Sequence, residues 1–194
     1  MTRFPSITAF CILVTLNCSG AWSQIVEFRL EVTDLAGTPV STLGVGDDFL
    51  LSAFTSHVSG FADPADAGVF SAYLDVSYDG ALASTTGPID HSLRFSTVSD
   101  GDLTPGFIDN VGGLATDPGN VPTPNGPMEE QVFSLPLRAD AAGTLDFIGS
   151  PSGDNVFFPI LVFGLNTTID PADVSYGSTS VSICLLYTSD AADE

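Results

Sequence analysis

Few residues of this chain could do chemistry near neutral pH. His57 and His91 are the only side chains whose ordinary pKa lies in that range, and nothing in the sequence brings them together. The chain has no Gly-x-Ser-x-Gly elbow and no glycine-rich phosphate loop that precedes a lysine. Acidic residues are so numerous that a pair of carboxylates is no evidence for glycoside hydrolysis. We therefore expect no catalytic residues and no enzymatic activity.

Aspartates in two loops are candidate calcium ligands. Asp63 and Asp66 precede a strongly patterned segment, and Asp100 and Asp102 flank Gly101. Calcium binds carboxylate and carbonyl oxygens in flexible geometry, although neither pair has the spacing of a twelve-residue helix-loop-helix site. The same residues are typical of turns in which aspartate bonds its own backbone. The sequence requires no cofactor and leaves a calcium ion at Asp63 and Asp66 as one of two interpretations.

The run from Gly68 to Leu82 predicts a strand with two different faces. The apolar face, expected in the core, consists of Phe70, Ala72, Leu74, Val76 and Tyr78. The opposite face is expected to meet water, and it makes Tyr73, Asp75 and Ser77 a candidate binding surface. Tyrosine rings stack on sugars, but a single surface tyrosine is also an ordinary strand former.

Alternating segments recur along residues 24–183, and no window has a sustained helical period with caps. The predicted strands are Val26–Thr33, Phe49–Val58, Ser92–Val98, Phe107–Val111, Glu129–Leu137, Gly143–Phe147, Asn155–Phe163 and Thr179–Ile183. Asn155–Phe163 is almost wholly apolar and is expected to lie centrally, whereas residues 99–102 are expected to turn the chain. The pattern predicts an all-β fold, a jelly-roll β-sandwich of about eight or nine antiparallel strands.

Both ends of the chain are expected to lie outside this domain. Residues 1–23 combine a positive start, a short apolar run and small residues before Gln24, which predicts a secretory signal peptide and a secreted or cell-surface protein. A buried N-terminal helix is the alternative. Residues 184–194 resemble a translated sequencing adapter, so we expect the true C-terminus to be missing and Cys184 to carry no chemistry. The alternative there is a short C-terminal helix.

The charge of the chain limits its partners. It has 24 acidic residues against 4 arginines and no lysine, with a formal net charge of -20. Such a surface repels phosphate backbones and anionic headgroups, so we expect no nucleic acid partner and no membrane insertion after signal cleavage. Basic proteins and cations are favoured, although the same charge is also typical of solubility in a salty exterior.

Short motifs across the domain resemble the cohesin and carbohydrate-binding-module sandwich family. They are Ala72 to Leu82 with its Tyr-Asp-x-x-Leu turn, Val45-Gly-Asp-Asp-Phe49, Phe133 to Ala139, Phe163-Gly-Leu-Asn166 and Tyr176-Gly-Ser178. The sequence of these motifs is most similar to that of cohesin-like modules of large exported planctomycete proteins. The resemblance implies a non-catalytic binding or scaffold module whose partner is a dockerin-like module or a polysaccharide, bound in cohesins on one flat sheet face. The alternative is a structural spacer or adhesion repeat without a ligand.

Overall fold

The structure is a computed structural model that describes residues 24–116, 123–153, 159–165 and 167–185. Within these ranges the chain forms thirteen strands and two short 3-10 helices, Pro64–Asp66 and Pro171–Asp173. The strands are β1 (Val26–Thr33), β2 (Thr42–Gly44), β3 (Asp48–His57), β4 (Val69–Ser77), β5 (Ala83–Thr85), β6 (Asp90–His91), β7 (Thr97–Thr104), β8 (Phe107–Leu114), β9 (Glu130–Ala139), β10 (Gly143–Pro151), β11 (Leu161–Val162), β12 (Val174–Tyr176) and β13 (Ser178–Cys184). No helix in the described ranges has the length and apolarity to cross a membrane.

The strands form two sheets that pack as a sandwich, which confirms the predicted all-β sandwich; the described residues form thirteen strands where about eight or nine were expected. The six-stranded sheet has the order β12-β1-β3-β9-β5, with β6 also paired to β9. The seven-stranded sheet has the order β2-β13-β10-β4-β8-β7, with β11 also paired to β4. Most pairs are antiparallel, and the pairs β1 with β12 and β2 with β13 are parallel.

Strict alternation of apolar residues builds the core between the sheets. In β1, Val26 and Phe28 are fully buried, whereas Glu27 between them is exposed. Phe49 of β3 meets Phe147 of β10 edge to face, with ring centroids 6.3 Å apart. Such pairs add stability beyond the area they bury, and this one joins the two sheets.

The region after β6 differs from its prediction. Residues 92–96 form a turn, in which the Phe95 N–H donates to the Ser92 carbonyl; Phe95 is buried and Leu93 is 76% exposed. The predicted strand Ser92–Val98 is therefore wrong, and so is the turn at residues 99–102, which lie inside β7. The register of β7 shifts twice on either side of Asp100, and such bulges break the two-residue period on which the prediction relied.

The apolar segment Asn155–Phe163 does not form the expected central strand in its described part. Residues 155–158 lie outside the described ranges, and of the remainder only Leu161–Val162 pairs, on one side, with β4. Ile160 and Val162 are nevertheless buried. In the described part, Ile160 and Val162 therefore pack against the sandwich without forming a central strand.

Two successive glycines let β8 approach its neighbours closely. A Cβ at Gly112 would overlap the carbonyl oxygen of Ala72 in β4, and one at Gly113 would overlap that of Phe95. Because real Cβ atoms do not come so near a backbone oxygen, any side chain here forces strands apart. The pair therefore fixes both β4 and the turn at residues 92–96 against β8.

Candidate functional site

The candidate face predicted from β4 lies on the outer side of the seven-stranded sheet. Ala72, Leu74 and Val76 are fully buried on the inner side, as predicted. On the outer side, Tyr73 is only 2% exposed and Asp75 only 6% exposed, while Ser77 is half-buried. The expectation that Tyr73 and Asp75 meet water is therefore wrong. Their binding role, with that of Ser77, stays a prediction.

A later part of the chain covers half of this face. The covering segment comprises residues 152–153, 159–165 and 167–170. The Ser71 hydroxyl donates to the Pro159 carbonyl at 2.5 Å. A cavity of only about 10 Å³ remains where Tyr73 meets Ile160 and Ile169, which leaves room for one water molecule at most. The covering segment thus excludes solvent from the outer side of β4 between Ser71 and Asp75.

The side chain of Tyr73 is held by a hydrogen bond from its hydroxyl group as well as by the segment that covers its ring. Its hydroxyl donates to the Val98 carbonyl in β7 at 2.6 Å. Burial, with a smaller contribution from the nearby charge of Asp100, raises the pKa of Tyr73 to about 12. A ring held in this way offers no open face on which a sugar could stack.

Asp75 ties three parts of the fold together. Its Oδ1 accepts the Asn110 N–H at 2.8 Å, and its Oδ2 accepts the Gly153 N–H at 3.1 Å. It lies opposite the bulge between β4 and β8, and the Ser152 hydroxyl bonds the Asn110 side chain beside it. Burial raises the pKa of Asp75 above its ordinary value, the Asn110 N–H opposes that shift, and the charge of Asp109 adds to it. The carboxylate is a structural link between β4, β8 and the covering segment.

The outer side of the same sheet is uncovered around Ser77, at the end of β4. Ser77 pairs with Phe107 on one side and with Ile148 on the other, so their side chains share the outer face. Ile148 is 53% exposed, and a shallow recess of about 290 Å³ runs past it. We call this surface the open face; it comprises Ser77, Asp102, Thr104, Phe107, Asp109, Asp146 and Ile148.

Charge is divided unequally between the two sheets. The described strands of the seven-stranded sheet contain five aspartates and no arginine. The three arginines in the described ranges all pair with acids of the six-stranded sheet or its edge. These ion pairs are Arg29 with Glu129 at 2.7 Å, Arg94 with Glu130 at 2.5 Å and Arg138 with Asp48 at 2.9 Å. Negative charge on the open face therefore has no positive neighbour within its own sheet.

Asp63 and Asp66 lie in the loop between β3 and β4. The Asp63 side chain accepts the Ala65 N–H at 2.9 Å and so begins the short helix Pro64–Asp66. In the described ranges, no group of three or more acidic, histidine or cysteine side chains lies close enough to hold a metal. Asp100 and Asp102 lie within β7 instead of a loop. A calcium ion at Asp63 and Asp66 stays a prediction.

His57 is fully shielded from water and His91 partly. His57 is fully buried, and its Nδ1 accepts the Gly68 N–H at 3.1 Å. Burial lowers the pKa of His57 and also that of His91, which pairs with Phe133 of β9. The hydrogen bond from Gly68 to His57 closes the loop between β3 and β4, so His57 has a structural role.

No family model matches the chain, and none of the curated proteins is similar to it. Among solved structures, a cohesin module of a family 33 glycoside hydrolase from Clostridium perfringens matches 84% of this chain and 100% of its own length, at 14% identity and a TM-score of 0.52. The sixth cohesin of scaffoldin B from Acetivibrio cellulolyticus, solved with a Cel5 dockerin mutant, matches 81% of this chain and 99% of its own length, at 14% identity and a TM-score of 0.44. The first likeness shows that this chain has a cohesin-like fold.

Proposed function

We propose that this chain is a non-catalytic extracellular binding module that takes a dockerin-like protein on its open face. The observation that carries the proposal is an exposed isoleucine, Ile148, that shares the outer side of the sheet with Phe107, two strands away, and with three aspartates. Stable protein interfaces combine an apolar centre with a polar rim, and opposite charge on the two partners favours the correct orientation. The cohesin-like fold and the sequence resemblance support the same partner class.

The charge of the open face defines the partner further. Because Asp102, Asp109 and Asp146 share this face with Ile148 and Phe107, the matching surface combines lysine or arginine with an apolar side chain. A polysaccharide has less support, because the ring of Tyr73 is covered. A spacer or adhesion repeat without a ligand is the alternative that the experiment distinguishes.

The test is a binding titration of the purified protein with a broad panel of calcium-loaded dockerins. Replacing Ile148 by arginine puts a cation in place of the exposed isoleucine of the open face, and we expect at least about a tenfold loss of affinity, since a few anchor residues dominate binding. The matched control is Leu50→Arg, on the outer side of the six-stranded sheet between the buried residues Phe49 and Leu51. Leu50→Arg should bind as the wild type does.

Two results would count against the proposal. Equal affinity of the wild type and Ile148→Arg, with a loss in Leu50→Arg, would move the interface to the other sheet. A blank dockerin panel together with a blank glycan array would favour the spacer. A thermal melt of each variant shows whether it folds, so that loss of binding is not confused with loss of structure.

A further inference from the structure

A second recess lies at the opposite end of β4 from the open face, where the loop after β3 meets the residues that follow β11. It encloses about 230 Å³ and is lined by Phe61, Phe163 and Leu165, with Asp63 and Asp66 also in its wall. Pockets for whole small molecules usually enclose roughly 300–1,000 Å³. The recess is therefore the size of one side chain.

Its aromatic walls are held in place by the fold. Phe61 packs edge-on against the buried His57, with ring centroids 5.1 Å apart. Phe163 packs in the same manner against Phe70, with centroids 5.5 Å apart, and its N–H donates to the Gly68 carbonyl at 3.0 Å. Both rings are thus positioned before any ligand arrives, which lowers the entropic cost of binding.

The chemistry of the lining selects a cation with an apolar stem. The side chains of Asp63 and Asp66 are exposed, and Asp63 uses only its Oδ1 for the turn. The three arginines in the described part of the chain are ion-paired elsewhere. Carboxylates and aromatic rings both attract cations, and the phenyl rings also offer apolar surface.

We infer that this recess binds a lysine side chain of a partner protein. The tetramethylene stem lies along Phe61 and Phe163, and the ammonium group meets the carboxylates of Asp63 and Asp66. Calcium fits the same lining less well, because it needs six to eight oxygen ligands and the aromatic walls supply none. The inference rests on the proposed function only in that a partner protein supplies the lysine.

The test uses a small probe and needs no partner protein. We would titrate Nα-acetyl-lysine-N-methylamide into the ¹⁵N-labelled protein and follow the backbone amides of Gly60, Asp66 and Gly164. We expect saturable shifts with a Kd on the order of 1 mM, weakened by added salt. The norleucine analogue has the same stem without the ammonium group and should bind at least about tenfold more weakly.

Two variants locate the site. Asp66→Asn removes one carboxylate and should weaken the lysine probe about threefold, as expected for one exposed ion pair. Phe61→Leu keeps an apolar wall without the aromatic ring and should weaken it by a similar factor. The control is Asp140→Asn, which should leave the Kd unchanged. Asp140 is an exposed aspartate that directly follows β9.

Three results would overturn the inference. They are equal affinity for the norleucine analogue, an unchanged Kd in Asp66→Asn, and displacement of the lysine probe by about 1 mM calcium together with a rise in melting temperature. The last would make the recess a calcium site. Because the probe contains no dockerin, its failure leaves the proposed function standing, and a blank dockerin panel leaves a positive probe result standing.

Discussion

At the scale of single residues, Asp75 is the clearest case of a carboxylate used for structure. Its two oxygens accept N–H groups from Asn110 in β8 and from Gly153 in the covering segment. Burial of a charged group is costly unless hydrogen bonds compensate it, and both oxygens have such a bond. The side chain thereby holds a distant part of the chain against the sheet.

Replacing Asp75 by asparagine keeps the size of the side chain but leaves one oxygen for two donors. One buried N–H then loses its partner, and we expect the free energy of unfolding to fall by about 1–3 kcal/mol at pH 7. Urea denaturation of the wild type and Asp75→Asn measures the difference. An unchanged midpoint would show that the two hydrogen bonds do not stabilise the fold.

The pH dependence of that difference follows from the direction of the pKa shift. The pKa of Asp75 is raised in the folded protein, above an ordinary value of 3.8. The part of its contribution that depends on protonation is therefore fully present below pH 3.8 and is lost as the pH rises through the raised folded value, whereas the part that the two hydrogen bonds supply remains at pH 7. The stability of the wild type relative to Asp75→Asn should decrease across this window, and a difference that grows with pH would contradict the assignment.

The alternation in β4 correctly predicted that Ala72, Leu74 and Val76 face the core, whereas Phe70, predicted with them, is half-buried and packs against Phe163. It did not predict that Tyr73 and Asp75 are covered, because Ile160 and Ile169, which cover the Tyr73 ring, come more than eighty positions later in the chain. Polar residues on one side of a strand indicate that this side is exposed to solvent only when no other part of the chain packs on it. Residue patterns carry no information about such distant contacts.

At the scale of elements, β8 depends on the absence of side chains at two positions. Gly113→Ala would drive a methyl group into the Phe95 carbonyl. We expect a loss of about 3 kcal/mol, as for severe overpacking, measured by thermal or urea unfolding. Gly153→Ala is the matched control, since its Cβ would lie 3.8 Å from Asp75, and its effect should be within about 0.5 kcal/mol. Equal effects would show that β8 can move away from the turn.

The long, regular strands were predictable and the short or irregular ones were not. β1, β3, β9 and β13 have seven or more residues each, which is long enough for an apolar pattern to stand out. β2, β6 and β11 have two or three residues each and leave no such pattern. β7 failed for a different reason, since its bulges change which face a side chain takes.

At the scale of the whole molecule, the net charge of -20 works against the compact state. Excess like charge repels itself when the chain folds, and salt screens that repulsion. Raising sodium chloride from about 0.02 M to about 0.5 M at pH 7 should raise the melting temperature by a few degrees. Near pH 4.1, the isoelectric point of the sequence, the effect should vanish. Scanning calorimetry would measure both, and a fall in melting temperature at pH 7 would contradict the expectation.

Composition alone predicted an acidic molecule but not where its charges lie. The position of Arg138 follows from strand register, because it lies opposite Asp48 across β9 and β3. Register depends on the whole sheet, so the open face could be located only in three dimensions. The aspartates of β7 and β8 were present in the sequence without a sign that they share one surface with Ile148.

Arg29 and Arg138 lie in the six-stranded sheet, whereas the described strands of the seven-stranded sheet contain aspartates and no arginine, so the field at the open face is strongly negative. A basic partner approaching through solution is turned by that field before it touches the surface, so a larger share of collisions begins in a productive orientation. The association rate constant should therefore fall steeply with ionic strength, while the dissociation rate, set by contacts such as Ile148, changes little. In dilute surroundings the speed of capture depends on this asymmetry, and the lifetime of the complex depends on its apolar contacts.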